Sequence, residues 1–180
     1  MGAIGYWGLL LPPNSPPLVR SDYTTVVDLA SFLRANAPHE PLYVIAASPT
    51  LNADTLRQAE QQAYGRSDIR LYFLASPDID SRDFYPLDSL VQAQYVILGT
   101  PLQIEMDVNQ QKVVKAAYDA FAQDWAISQD FVRLPRTLEL KGGVKVSLYH
   151  RIRPTSLPVL LDTLRLVESE VGRVPGRQAD

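Results

Sequence analysis

Leu42-Tyr43-Val44-Ile45-Ala46-Ala47 is an unbroken apolar run that stops at Ser48-Pro49-Thr50. A strand with one wet face alternates apolar and polar residues, whereas a strand covered on both faces does not. The run therefore predicts a central strand of a parallel sheet. Leu51 to Tyr64 follows as a helix, capped by Thr50 or Asn52, with Leu56, Ala59 and Ala63 as its buried stripe and Gly65 as the glycine that ends it. The unit then repeats. Ile69 to Ala75 is a second apolar strand, Ser76 to Asp83 a polar turn and Pro86 to Ala93 a short helix. Tyr95-Val96-Ile97-Leu98-Gly99 is a third strand, ending at Thr100-Pro101. Asp107 or Asn109 opens a helix to about Asp124, with Val113, Val114, Ala117, Tyr118 and Phe121 inward.

Upstream, Ser21 or Asp22 caps a helix to about Asn36. Val26, Ala30 and Leu33 share one face, with Val27 and Leu29 beside them, and Ala37-Pro38 terminates it. Downstream the periodicity changes. Phe131 to Leu140 and Val144 to Tyr149 are β-rich and joined by Lys141-Gly142-Gly143, a hairpin signal. Thr155 or Ser156 caps a last helix, Leu157 to Val171. Strands alternating with helices need crossover connections. The predicted fold class is α/β: a three-layer, Rossmann-like sandwich whose parallel central strands are extended at one edge by an antiparallel C-terminal hairpin. Residues 1–20 form an apolar, Pro-rich lead-in, 21–172 a single domain and 173–180 a loose tail.

The 180 residues suffice for one domain with a proper core. A net charge of −3 and the lack of any basic run exclude a general nucleic-acid binder. The absence of cysteine removes disulfides, thiolate metal sites and cysteine nucleophiles. The two histidines, His39 and His150, are far apart in unlike contexts, so no metal centre is expected. No segment approaches the ~20 apolar residues that cross a bilayer. Tyr6 to Leu11 is apolar but halts at Pro12-Pro13. It reads either as a packing arm or as the remnant leaving a membrane helix.

In an open α/β sheet the usable crevice lies beyond the carboxyl ends of the strands. Three loops converge there and supply the candidate ligand-binding residues: Ser48, Thr50 and Asn52 from the first, Asp78, Asp80, Arg82 and Asp83 from the second, Thr100 and Gln103 from the third. The first loop has no glycine, and Pro49 removes a backbone donor, so a dinucleotide fingerprint is missing and no cofactor is expected. No Walker motif occurs. The Asp78-Asp80-Asp83 cluster lacks the glycine and closing glutamate of a calcium loop, and Arg82 inside it favours pairing. Ser48 lacks the small neighbours of a nucleophile elbow, and no catalytic set is recognised.

Several stretches occur in an order that resembles a known family: Pro17-Leu18-Val19-Arg20-Ser21-Asp22-Tyr23, Tyr43 to Ser48, Leu51-Asn52, Leu56-Arg57, Asp80-Ser81-Arg82-Asp83, Ala93-Gln94-Tyr95-Val96, Thr100-Pro101-Leu102-Gln103, Leu140-Lys141-Gly142-Gly143-Val144 and Tyr149-His150-Arg151-Ile152-Arg153-Pro154. From Pro17 to about Val171 the chain resembles the C-terminal extramembrane domain of bacterial polytopic glycosyltransferases, family-39-like relatives of the dolichyl-phosphate-mannose protein mannosyltransferases. Individually the motifs are soft; their order and spacing carry the likeness. The resemblance implies a lipid-linked sugar donor and a catalytic acid in a membrane region that this sequence does not include, so no catalytic residue is carried over. It further implies a domain on the extracytoplasmic side of the cell membrane, with the membrane-embedded portion of the parent transferase as partner and a glycan or lipid-phosphate acceptor as ligand. The expectation is a non-catalytic accessory or acceptor-recognition domain. Two alternatives stay open: a free-standing Rossmann-like transferase binding a nucleotide-type ligand, and a structural self-association module using the hairpin's outer edge.

Overall fold

Five α-helices and a five-stranded mixed sheet make up the residues described by the computed structural model, 20–76 and 86–172. The expected apolar lead-in, the C-terminal tail and most of the second strand-end loop lie outside the described residues. In chain order the elements are α1 (Tyr23–Asn36), β1 (Pro41–Ile45), α2 (Ala53–Tyr64), β2 (Tyr72–Phe73), α3 (Pro86–Gln92), β3 (Tyr95–Thr100), α4 (Lys112–Ala122), β4 (Phe131–Leu140), β5 (Val144–Arg151) and α5 (Leu157–Val171). The strands stand in the order β2-β1-β3-β5-β4. β1 pairs in parallel with β2 and β3, while β5 runs antiparallel to both β3 and β4. The expected parallel centre with an antiparallel hairpin at one edge is present.

The apolar run Leu42 to Ala47 serves two cores at once. Leu42 and Val44 join Ile97, Val146 and Leu148 in a cluster with Val26, Leu29, Ala30 and Leu33 of α1 and Leu56 and Ala59 of α2. Tyr43 and Ile45 point the other way. With Val96 and Leu98 they meet Leu90 of α3, Ala117, Ala120 and Phe121 of α4, and Val167 of α5. Successive strand residues alternate between the two clusters because the pleat has period two. Burial on both sides is why the run shows no alternation of polarity.

Four expectations are corrected in detail. The strand expected over Ile69 to Ala75 shrinks to Tyr72–Phe73, because the N–H groups of Arg70 and Leu71 are taken by one side chain, although the Arg70 carbonyl still accepts His39 N–H at 2.8 Å. Arg70 and Leu71 donate their N–H groups to Glu60 Oε1, at 2.8 and 3.2 Å. Glu60, fully buried, also receives Arg34 Nη1 at 2.6 Å; the same guanidinium reaches Asp68 Oδ2 at 2.7 Å and lies 3.9 Å from the Tyr64 ring centre. Ala63 is exposed, and Thr55 and Glu60 complete the buried side of α2. The helix expected from Asp107 is split. Asp107 Oδ1 does accept Asn109 N–H at 2.8 Å, but it caps a short 3-10 turn, Val108–Gln110. Buried Gln111 interrupts the path, its Oε1 accepting Glu105 N–H at 3.0 Å and Met106 N–H at 2.9 Å. Finally, neither Thr155 nor Ser156 caps α5 with its side chain: Thr155 Oγ1 accepts instead from Arg151 Nη1 at 2.8 Å.

Arg151 ends β5 and is buried. Its Nε donates to the Ala93 carbonyl at 2.8 Å and its Nη2 to that of Leu90, and its guanidinium lies 4.3 Å from the Phe131 ring centre. Gln94 N–H, which a continuing helix would aim at Leu90 O, donates to Pro41 O at 2.8 Å instead. The guanidinium thus takes the place of the helical donor that α3 gives up at its end. No helix among the described residues is long and apolar enough to cross a membrane.

Candidate functional site

The carboxyl ends of β1 and β3 carry the first and third loops side by side. Ala47 N–H donates to Gln103 O at 2.8 Å, and Ala47 forms an isolated parallel bridge with Ile104. Ser48 and Gln103 are both buried. Ser48 Oγ donates to Gln103 Oε1 at 3.0 Å and accepts from Leu51 N–H at 3.2 Å, while Gln103 Nε2 donates to Pro101 O at 2.7 Å. The Thr100-Pro101 peptide is cis. Gly99 is the residue that allows this closeness, since a Cβ there would stand 2.7 Å from Gln103 Cγ and 3.0 Å from Leu51 Cδ2.

Asn52 is the N-cap of α2. Its Oδ1 accepts Thr55 N–H at 2.7 Å, and its Nδ2 donates to Ser48 O at 3.0 Å. Three of the expected ligand partners, Ser48, Asn52 and Gln103, are therefore brought together, and they spend most of their hydrogen bonds on one another and on the loop backbone. Thr50 is half-buried and its carbonyl accepts from Arg20 Nη2 at 2.9 Å; Thr100 is exposed. Asp78, Asp80, Arg82 and Asp83 lie outside the described residues. Among the described residues no three His, Cys, Asp or Glu side chains converge as metal ligands.

Beside this bonded cluster, between the start of α2 and the end of β2, is a recess of about 180 Å3 lined by Asn52, Ala53, Asp54, Arg57, Phe73, Leu74, Ala75 and Ser76. Asp54 and Arg57 pair across one helical turn, and the guanidinium stands 5.5 Å from the Phe73 ring centre. Ser76 Oγ donates to Val44 O at 2.9 Å, leaving its lone pairs open to a donor. Asn52, Asp54 and Arg57 add residues with an amide, a carboxylate and a guanidinium to the same lining, which also holds Phe73. Sequence reading singles out Asn52 but not Asp54 or Phe73 as candidates. The signal for Asp54 and Arg57 is their place, two and five residues after the N-cap, on the turn nearest the strand ends.

A second set of contacts frames the loops. Arg20 Nη2 donates to Asp22 Oδ2 at 2.7 Å, and the same oxygen accepts Lys141 N–H at 2.6 Å from the hairpin turn. Asp22 holds the N-cap position of α1 without capping it; its carboxylate is committed to the clamp. The hydrogen bond from Arg20, with that from Lys141 N–H, holds the carboxyl down from the usual 3.8 to about 2. A depressed carboxyl contributes stability that is complete above its unfolded value and fades as the pH drops from 3.8 towards 2. Asp22→Asn is expected to cost about 1–2 kcal/mol at neutral pH, with a difference from the parent that shrinks below pH 4. Urea titrations of both proteins between neutral pH and about pH 2 check this; a difference that does not change with pH would remove the clamp as its source.

Comparison with protein-family models, with curated proteins and with solved structures finds no match for this chain.

Proposed function

We propose that this chain is the accessory, acceptor-recognition domain of a membrane-bound glycosyltransferase that uses a lipid-linked sugar donor, with catalysis residing in the membrane-embedded portion of that transferase. The fold is read as a three-layer Rossmann-like sandwich, a reading supported by the two apolar clusters that share the residues of β1 and β3. The domain is assigned to the extracytoplasmic side of the membrane, on the order and spacing of the motifs from Pro17 to Val171.

The observation that carries recognition as the task is the make-up of the recess at the strand ends. A planar amide, a carboxylate, a guanidinium and a hydroxyl surround a space edged by Phe73. That combination suits a sugar: hydroxyls exchange hydrogen bonds with planar polar groups, and the apolar face of the ring packs on an aromatic. At about 180 Å3 the recess holds roughly one sugar ring. It falls short of the roughly 300–1,000 Å3 of a drug-sized ligand pocket, which weighs against the nucleotide-binding alternative.

Titration with mannose-containing oligosaccharides and, separately, with short polyprenyl phosphates, followed by amide chemical shifts, tests the reading. Shifts are expected at Asn52, Ala53, Asp54 and Ser76. Arg57→Ala should weaken the response roughly fivefold while leaving thermal stability within a degree or two, because Arg57 is on the surface and its pair with Asp54 is exposed. Absence of shifts at the recess with either ligand class would sink it, and saturation by the phosphate alone would assign the acceptor's anionic end to this edge.

A further inference from the structure

Helix α5 packs against α3, α4 and the turn Ala126–Asp130, burying Thr163 and Val167, and presents an apolar stripe to solvent. Leu157 is 67% exposed and Leu161 45%, and Leu164 is half-buried; the three recur at helical spacing on one line, and Glu168 continues that line. The stripe is roughly 16 Å long by the helical rise. Its ends differ in charge. At the amino end the first-turn N–H groups lack a side-chain cap from Ser156, and Arg153, four residues before the helix and bonded to Asp130, has its side chain 59% exposed. At the carboxyl end stands the Glu168 carboxylate, exposed.

We infer that the occupant of this stripe is a second copy of the same chain, packed antiparallel about a two-fold axis that crosses α5 between Asp162 and Thr163. Two residue pairs share that midpoint. Leu161 then lies against the partner's Leu164, and Glu168 lies over the amino end of the partner's α5, next to Arg153, twice by symmetry. Negative charge at a helix amino end is favourable. A parallel arrangement would instead set Glu168 against Glu168. The hairpin edge of the sheet does not compete for the role. β4, the outer strand of the hairpin, carries Pro135, a register shift between Arg133 and Thr137, and exposed Arg133 and Arg136, all of which oppose strand addition. The self-association that the sequence leaves open as one alternative at the hairpin's outer edge is thus proposed at α5. The stripe is smaller than a standard interface, so the dimer is reversible, with a Kd on the order of 100 μM.

Sedimentation velocity on the 180-residue chain from about 10 μM to about 1 mM should show the mass rising from monomer to dimer. Leu161→Glu should raise the Kd at least ~tenfold without loss of helical signal, and Glu168→Gln about threefold. A parallel pair would be strengthened by Glu168→Gln. The chain has no cysteine, so a mixture of Leu157→Cys and Glu168→Cys proteins should be cross-linked by a short bismaleimide, and neither protein alone. A monomer throughout, a dimer indifferent to Leu161→Glu, or cross-linking of each variant only with itself overturns the proposal. So does a dimer lost on changing Leu9, Leu10 and Leu11 to serine but not on changing Leu161. Binding to phosphatidylcholine vesicles that needs Leu161, in place of self-association, would assign the stripe to a lipid surface instead.

Discussion

Arg34→Ala is expected to lower the unfolding free energy by about 3–5 kcal/mol, the largest loss from a single charged side chain in this domain. The arginine is inseparable from what it neutralises. Glu60 is wholly buried on α2, and one of its carboxylate oxygens already lacks a partner. Removing the guanidinium leaves that charge in the core with only the Arg70 and Leu71 N–H groups on Oε1. Asp68, which the guanidinium grips through both its carboxylate and its carbonyl, loses its tie to α1. Urea denaturation gives the size of the loss. Amide exchange at Arg70 and Leu71 should accelerate in step with it, since the carboxylate that receives them becomes free to turn. The double variant Arg34→Met with Glu60→Leu should recover most of the stability, because an apolar pair of similar volume escapes the desolvation cost. A loss below 1 kcal/mol in the single variant would show that water enters and satisfies Glu60.

The second large effect belongs to Arg151, where replacement by alanine should cost about 3 kcal/mol. Here no carboxylate is left stranded; the loss lies in carbonyls. Leu90 O and Ala93 O stand at the end of α3 and take their hydrogen bonds from this side chain. Without it, two acceptors in a dry place have no donor, and the guanidinium's packing on Phe131 is also gone. Arg151→Lys should rescue less than half, because one ammonium cannot serve Leu90, Ala93 and Thr155 from a fixed fork. Thermal denaturation ranks the three proteins. Equal stability of the lysine and arginine forms would mean that charge, not geometry, is what the site requires.

The fold was legible where a residue's neighbours in space follow from its neighbours in sequence. The run Leu42 to Ala47 announces a strand with two dry faces, and Lys141-Gly142-Gly143 a turn whose two glycines adopt φ of 77° and 75°. It was not legible where a side chain reaches across the structure. Nothing near Ile69 says that Glu60 will hold the next two peptides, so a seven-residue stretch that is apolar except for Arg70 reads as a strand and only two of its residues pair. The strand-end loops fail for a related reason. Ser48, Asn52 and Gln103 look like ligand partners because a sequence shows which groups are polar, not which are already bonded to each other. Gln103 lies 55 residues from the hydroxyl it meets. Asp54 and Arg57, which line the recess, look like an ordinary surface pair on a helix until β2 is placed beside them.

The Arg20–Asp22–Lys141 contact has a mechanical consequence. It sits where residues 1–19 join the domain, and it fastens that point to the hairpin turn and, through Thr50, to the first strand-end loop. A pull along the leading segment would therefore bear on the start of α1, the hairpin turn and the first strand-end loop together. Were the segment a tether, the clamp would act as its strain relief at the point of attachment.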